Sequence, residues 1–198
     1  TLAVLPLFLS MRAAVGAHRN SAIAKKIPAR AESSKVIANV EGHLRLANSY
    51  LQPSSPKLIA VGGLSGSGKS RMARELAPFY GSAPGARVVR TDAVRKRISG
   101  VGQEDCLGQE GYTDEMHIRT FEHFFDEARR ALSQGATVVL DAVFALPAQR
   151  EMAVDLAREF SVPFTGLWLD AHEELRIDRI ISRKRNISDV TEVIAREQ

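Results

Sequence analysis

An α/β domain with a central parallel sheet flanked by helices, preceded by a short helical segment, is the architecture these 198 residues predict. Three observations lead there. From Lys57 onward, short apolar runs alternate with longer amphipathic stretches, the signature of βα units. The first of those runs leads directly into a glycine-rich loop and then a helix-compatible stretch, 71–77. Before it, Gln52-Pro53-Ser54-Ser55-Pro56 punctuates the chain where helical periodicity stops, which sets a helical segment at 1–52 apart from a second domain at 57–198.

Residues 1–24 read as helix, broken or kinked by Pro6, and Lys25 to Ser34 as a connecting loop. A second helix follows, with Ile37, Val40, Leu44, Ala47 and Leu51 recurring every three or four residues as an apolar stripe that requires a partner surface. Four strands are expected: Leu58 to Val61, Arg87 to Arg90, Thr137 to Leu140 and Phe164 to Leu169. Between them Phe121, Phe125, Ala128 and Leu132 give one helix its buried face, and Met152, Leu156 and Phe160 give another.

Composition excludes several classes. One cysteine, Cys106, permits neither an internal disulfide nor a cysteine-based zinc cluster, and a reducing cytoplasm is the expected compartment. The apolar run Leu2 to Leu9 falls far short of the roughly 18 residues of a membrane span. The +4 net charge comes from residues 1–56, with seven Lys/Arg against two acids; the remainder holds twenty against twenty-one. A nucleic-acid binder carries its basic stripe on the folded domain, so nucleic acid is not favoured, although 5′-hydroxyl ends stay open as acceptors.

Gly63-Leu64-Ser65-Gly66-Ser67-Gly68-Lys69-Ser70 is a Walker A sequence, G-x-x-x-x-G-K-[ST], in its strand-loop-helix context. It predicts a P-loop NTPase in which backbone N–H groups converge on phosphate oxygens at a helix N-terminus. Lys69 is expected to reach the β- and γ-phosphates, Ser70 to ligate Mg²⁺, and Arg71 to adjoin the nucleotide. The absence of an Asn-Lys-x-Asp guanine-reading motif favours ATP.

Asp92 and Asp141 each follow an apolar strand, so both are expected at the carboxyl edge of the sheet, where ligands bind in open α/β folds. One would hold Mg²⁺ or its water shell and the other would accept the proton of an attacking hydroxyl; a helix-capping role for Asp92 is the competing reading. Asp170 is read as a helix cap. Arg95, one helical turn beyond Asp92, can face the transferring phosphate. Arg176, Arg179 and Arg183 share a helical face, extended by Lys184 and Arg185, and suit either a cationic lid over ATP or a solvated basic helix. Asp189 and Glu192 form a capping box. His117 and His123, six apart, do not share a helix face and make an improbable metal pair.

The run Leu58 through Ser70, then Arg90-Thr91-Asp92-Ala93-Val94-Arg95-Lys96, then Val138-Val139-Leu140-Asp141-Ala142-Val143-Phe144, resembles the P-loop kinase-like, AAA-family ATP-binding half of bacterial proteins that join it to an aminoglycoside-phosphotransferase-like domain. That half is itself similar to polynucleotide kinases and zeta-toxin-type kinases. The resemblance implies a kinase moving the γ-phosphoryl group of Mg-ATP to an unidentified hydroxyl. Lys69, Asp92, Arg95, Arg179 and Arg183 would be catalytic, Gly63 to Arg71 nucleotide-binding, and Ser70 and Asp141 metal-binding. It further implies that residues 1–51 are the tail of an upstream phosphotransferase-like domain, in keeping with Thr1 in place of Met, and that a strand and helix follow Gln198. Arg71 departs from the Thr common after the Gly-Lys-Ser. An ATPase or ATP-sensing module regulating a fused neighbour is the alternative function.

Overall fold

The computed structural model describes residues 4–26, 30–52 and 55–182. They divide into two units, a helical hairpin and, from Ser55, an α/β domain.

The hairpin pairs α1 (Leu5–Ala24) with α2 (Arg30–Leu51). Pro6 does not break α1; it occupies the first turn, where its missing N–H has no intrahelical acceptor to lose. The connection is shorter than the expected 25–34 loop, because α2 begins at Arg30. The apolar stripe of α2 is not buried as a whole: Ala47 is buried, whereas Ile37, Leu44 and Leu51 are exposed. Small residues explain this. The helices meet through Ala13, Ala17 and Ala47, and the His43 ring lies so close to Gly16 that a Cβ there would fall 2.5 Å from it, which leaves the larger side chains outside.

The α/β domain is a four-stranded, all-parallel sheet of order β2-β3-β1-β4. Its strands are β1 (Leu58–Gly62), β2 (Arg87–Arg90), β3 (Val138–Asp141) and β4 (Phe164–Trp168). Register aligns Leu58 with Val138 and Phe164, and Arg90 with Asp141. The helices are α3 (Lys69–Leu76), α4 (Thr91–Ile98), α5 (Asp114–Ser133), α6 (Pro147–Glu159) and α7 (Glu173–Ile181). Alternation along the strands builds two cores. Leu58, Ala60, Val138 and Leu140 pack under α5 and α6 on one face, while Ile59, Val61 and Val139 meet Ala73 of α3 on the other.

Phe121, Phe124 and Phe125 of α5 stack edge-on or tilted among themselves and against Phe144. Phe121, Phe125, Ala128 and Leu132 are buried as the periodicity requires. On α6 the buried face is Gln149, Ala153, Leu156 and Ala157, and Met152 is exposed, one position off the expected stripe. Helix ends follow chemistry readable in the sequence. Thr113 Oγ1 accepts from the Met116 N–H to cap α5, and α4 and α5 stop at Gly100 and Gly135, both at positive φ. The α6 C-terminus has the same geometry with Ser161 at φ +52: the Ser161 N–H donates to the Arg158 carbonyl and the Val162 N–H to that of Ala157.

Candidate active site

The phosphate loop joins β1 to α3 across the carboxyl edge of the sheet. Its conformation depends on glycine. Gly66 adopts φ +85, and a Cβ there would lie 2.4 Å from the Arg176 carbonyl oxygen. Gly68, at φ +99, is the left-handed N-cap residue of α3, and its carbonyl accepts from the Arg71 and Met72 N–H groups as the first helical turn closes. The α3 N-terminus thereby points into the loop, the arrangement that gathers backbone N–H groups around an anion.

Helix α7 presses on the loop from beside it. Arg176 is buried and donates from Nη1 to the Ser65 carbonyl at 3.3 Å; Arg179 donates from Nη1 to Gly66 at 3.3 Å and Ser67 at 3.4 Å. Two guanidinium groups thus occupy loop carbonyls and bring positive charge to the loop.

A cleft of about 600 Å³ opens here, lined by Ser65 to Glu75 apart from Ala73, with Asp92, Leu169 and Arg179. It is large enough for a nucleotide-sized ligand. Lys69, Ser70, Arg71, Asp92 and Arg179 therefore share one cavity. Arg71 carries its own counter-charge there, with Nε 2.7 Å from Glu75 Oε1 one turn on. Asp92 lies in the first turn of α4, whose N-cap position is Arg90 with no side-chain cap bond, so a capping role does not compete. Asp170 does not cap α7 either: the N-cap position is His172, and Asp170 Oδ1 accepts from the adjacent Ala171 N–H.

Four expected residues stand outside the cleft lining: Gly63 and Leu64 of the loop, Arg95 and Asp141. Arg95 lies with its guanidinium carbon 5.2 Å from the centre of the Tyr112 ring, and its Nε is buried without a hydrogen-bond partner among the described residues. Asp141, the last residue of β3, is 3% exposed; its Oδ2 accepts from Arg90 Nε at 2.9 Å and its Oδ1 has no hydrogen-bond partner among the described residues. Arg183, Lys184, Arg185, Asp189 and Glu192 lie outside the described residues.

Several contributors escaped the sequence reading. Arg90 reads only as the end of a strand and the start of a resembling run, and only the β2-β3 register reveals that it faces Asp141. Near Arg95, His117 is hydrogen-bonded to Gln149 at 3.0 Å. Because Gln149 Oε1 accepts from the Leu146 N–H, its amide nitrogen donates to His117 Nε2, which places the neutral ring's proton on Nδ1. Burial first, then the Arg95 charge, lowers the His117 pKa from its ordinary value, in keeping with that neutral form. Among the described residues no group of three His, Cys, Asp or Glu side chains is placed to hold a metal, and no helix is long and apolar enough to cross a membrane.

A parallel sheet of order 2-3-1-4, with a glycine loop entering a helix behind its central strand, defines a P-loop α/β domain. The sequence profile of the AAA domain matches residues 58–198, and the chain belongs to that family. It is 32% identical over 162 residues to the uncharacterized protein Rv2004c of Mycobacterium tuberculosis (strain ATCC 25618 / H37Rv), covering 80% of this chain and 32% of the relative. The chain thus spans about a third of that relative's length.

Among solved structures, a candidate kinase from Chloroflexus aurantiacus J-10-fl superposes with a TM-score of 0.54 at 18% identity, over 67% of this chain and 69% of its own. APE1195 does so with a TM-score of 0.50 at 25% identity, over 65% and 68%. The first likeness is one of fold.

Proposed function

We propose that residues 57–198 form a Mg-ATP-dependent phosphotransferase that moves the γ-phosphoryl group to a hydroxyl acceptor. The observation that carries this reading is that one cleft gathers Lys69 and Ser70 of the loop, the carboxylate of Asp92 and the guanidinium of Arg179. Membership of the AAA domain family and the kinase-like fold support it at the level of nucleotide binding and phosphoryl transfer. In the proposed reaction the acceptor oxygen forms a bond to Pγ, the bond from Pγ to the bridging oxygen of ADP breaks, and Asp92 takes the hydroxyl proton. Loop N–H groups and Lys69 hold the phosphates, and Arg179 neutralises charge on the oxygens of the transferred group. Arg95 and Arg183 are assigned to the same charge stabilisation, Arg95 from the Tyr112 side.

The donor set fits Mg²⁺ bound with nucleotide. Ser70 supplies a hydroxyl at the start of α3, and Asp141 has one buried oxygen without a hydrogen-bond partner among the described residues. Bound there, the ion would supply charge neutralisation at the β- and γ-phosphates. Two further proposals stand beside it. By the resemblance, residues 1–52 belong to the end of an upstream phosphotransferase-like domain; by its single cysteine, the protein works in the cytoplasm. That the chain matches only a third of a longer relative favours a second reading, an ATPase or ATP-sensing module serving a fused neighbour.

Incubation with γ-labelled ATP and a panel of hydroxyl acceptors, including aminoglycosides and 5′-hydroxyl oligonucleotides, separates the two. Label on an acceptor, lost in Asp92→Asn while ATP still binds, supports the kinase; label released only as free phosphate supports the ATPase and removes Asp92 as acceptor base.

A further inference from the structure

The hydrogen-bonding capacity around Arg95 is not used up by the protein. Its guanidinium lies over the face of Tyr112, and its buried Nε has no hydrogen-bond partner among the described residues. Arg90 and Arg176, also withdrawn from water, end instead on oxygen, the Asp141 carboxylate and the Ser65 carbonyl. A ring face attracts a cation but supplies no acceptor in the guanidinium plane, so Arg95 keeps a donor orphaned and its charge without a counter-ion. A ligand that brings acceptor atoms removes that cost.

His117, near the start of α5, presents a second such donor. Gln149 is 7% exposed and its amide is held one way round, since Oε1 accepts from the Leu146 N–H at the start of α6. Its amide nitrogen therefore donates to His117 Nε2 at 3.0 Å, and the ring carries its proton on Nδ1. That Nδ1–H meets no acceptor among the described residues. Contact with Phe121, 5.0 Å between ring centres, fixes the ring further. Of the two charges that act on the ring, Arg95 outweighs Asp114, so the local field favours an anion. Asp92, the proposed base, precedes Arg95 by three residues on α4, a rise of about 4.5 Å.

We propose that Arg95 and His117, the latter oriented by Gln149, form the acceptor subsite, and that it takes an anionic group, phosphate or carboxylate, carried by a small hydroxyl compound. This rests on the phosphotransferase reading of the cleft and gives that reading a substrate class. The anion accepts from the Arg95 guanidinium and from His117 Nδ1–H, while a hydroxyl a few bonds away reaches Asp92. The guanidinium has donors enough to serve the anion and still face the transferring phosphoryl group. His117 and Gln149 supply specificity, because a donor fixed in this way selects a ligand atom with a free lone pair and rejects an ammonium or amide N–H.

Nitrogen-15 resonances of the histidines in the full chain, recorded at pH 8 with Mg-ADP saturating the phosphate loop, test this against glycerol 3-phosphate, glycerate and uncharged glycerol. His117, assigned by the signals missing in His117→Phe, should show Nδ1 as its protonated nitrogen. Those signals should move saturably with an anionic probe, at an affinity roughly tenfold or more above that for glycerol. Tighter binding of glycerol 3-phosphate identifies a phosphate, and tighter binding of glycerate a carboxylate. In calorimetric titration His117→Phe, which keeps a ring against Phe121, should weaken the better probe roughly three- to tenfold, and Arg95→Gln roughly tenfold or more.

His117 signals that neither anionic probe moves, a proton on Nε2, or a glycerol affinity equal to that of the anions overturns the proposal, and each is read on the native chain whether or not a variant folds. Undiminished affinity in folded His117→Phe overturns it as well. A native chain that fails to bind Mg-ADP overturns instead the phosphotransferase reading beneath it.

Discussion

Gly66→Ala and Gly68→Ala add the same methyl group two residues apart in the phosphate loop, yet the structure assigns them different costs. Both residues hold a positive φ, +85 and +99, where an L side chain costs about 1–2 kcal/mol. Around Gly68 there is room: a Cβ meets only Arg179 Nη1, at 4.0 Å. At Gly66 it would sit 2.4 Å from the Arg176 carbonyl oxygen and 2.8 Å from its Cα, both backbone atoms of α7 that no rotamer change can move. Forced displacement in packed structure adds about 1–3 kcal/mol, so Gly66→Ala should cost about 2–5 kcal/mol against about 1–2 for Gly68→Ala.

Relief of that clash would push α7 off the loop, releasing the Arg176 and Arg179 contacts to Ser65, Gly66 and Ser67. Urea denaturation followed by far-ultraviolet circular dichroism gives both stabilities, and hydrogen exchange on α7 should rise in Gly66→Ala alone. Equal stabilities and unchanged α7 protection would refute the claim that backbone contact between loop and helix locks this site.

Other perturbations test separate parts of the account. Ser161→Gly relieves a left-handed residue in an otherwise complete helix-stop motif and should stabilise the domain by about 0.5–1 kcal/mol in urea; a loss of stability contradicts the assigned backbone. Arg90→Met should destabilise by about 3–5 kcal/mol, with much of that recovered when Asp141→Asn removes the stranded charge; additive losses would deny the pairing. Because the folded pKa of His117 lies below its unfolded value, the unfolded chain takes up the proton first as pH falls. Stability relative to His117→Gln should therefore be constant above about pH 6.5 and decline below it, and parallel pH profiles for the two proteins would contradict the neutral ring.

How much of this was legible in the sequence depends on how far apart the interacting residues lie. The phosphate loop, its strand and its helix are consecutive, and local chemistry fixed all three. Strand runs came through within a residue or so because buried parallel strands are nearly continuous apolar stretches. Asp92 reaches the cleft because it directly follows a strand.

The failures are contacts between distant residues. Arg90 and Asp141 stand 51 positions apart, and only the strand order brings them together. The α2 stripe promised burial of Ile37, Leu44 and Leu51, but periodicity identifies an apolar face without saying that the partner helix prefers small residues. Met152 was misplaced for a related reason: α6 buries Ala153 and Ala157, which carry little weight in a pattern drawn from large side chains. The shared face of Arg176 and Arg179 was readable, while their bonds to loop carbonyls required the fold.

The central claim is that the loop from Gly63 to Ser70 binds the phosphates of ATP, with Lys69 as its main charged contact. Calorimetric titration of the full chain with Mg-ATP, native against Lys69→Ala, tests it most directly. Loss of a charge-assisted hydrogen bond worth about 1.5–3 kcal/mol predicts an affinity roughly 10- to 100-fold weaker in the variant. Equal affinities in the two proteins, or no binding by the native chain, would contradict it.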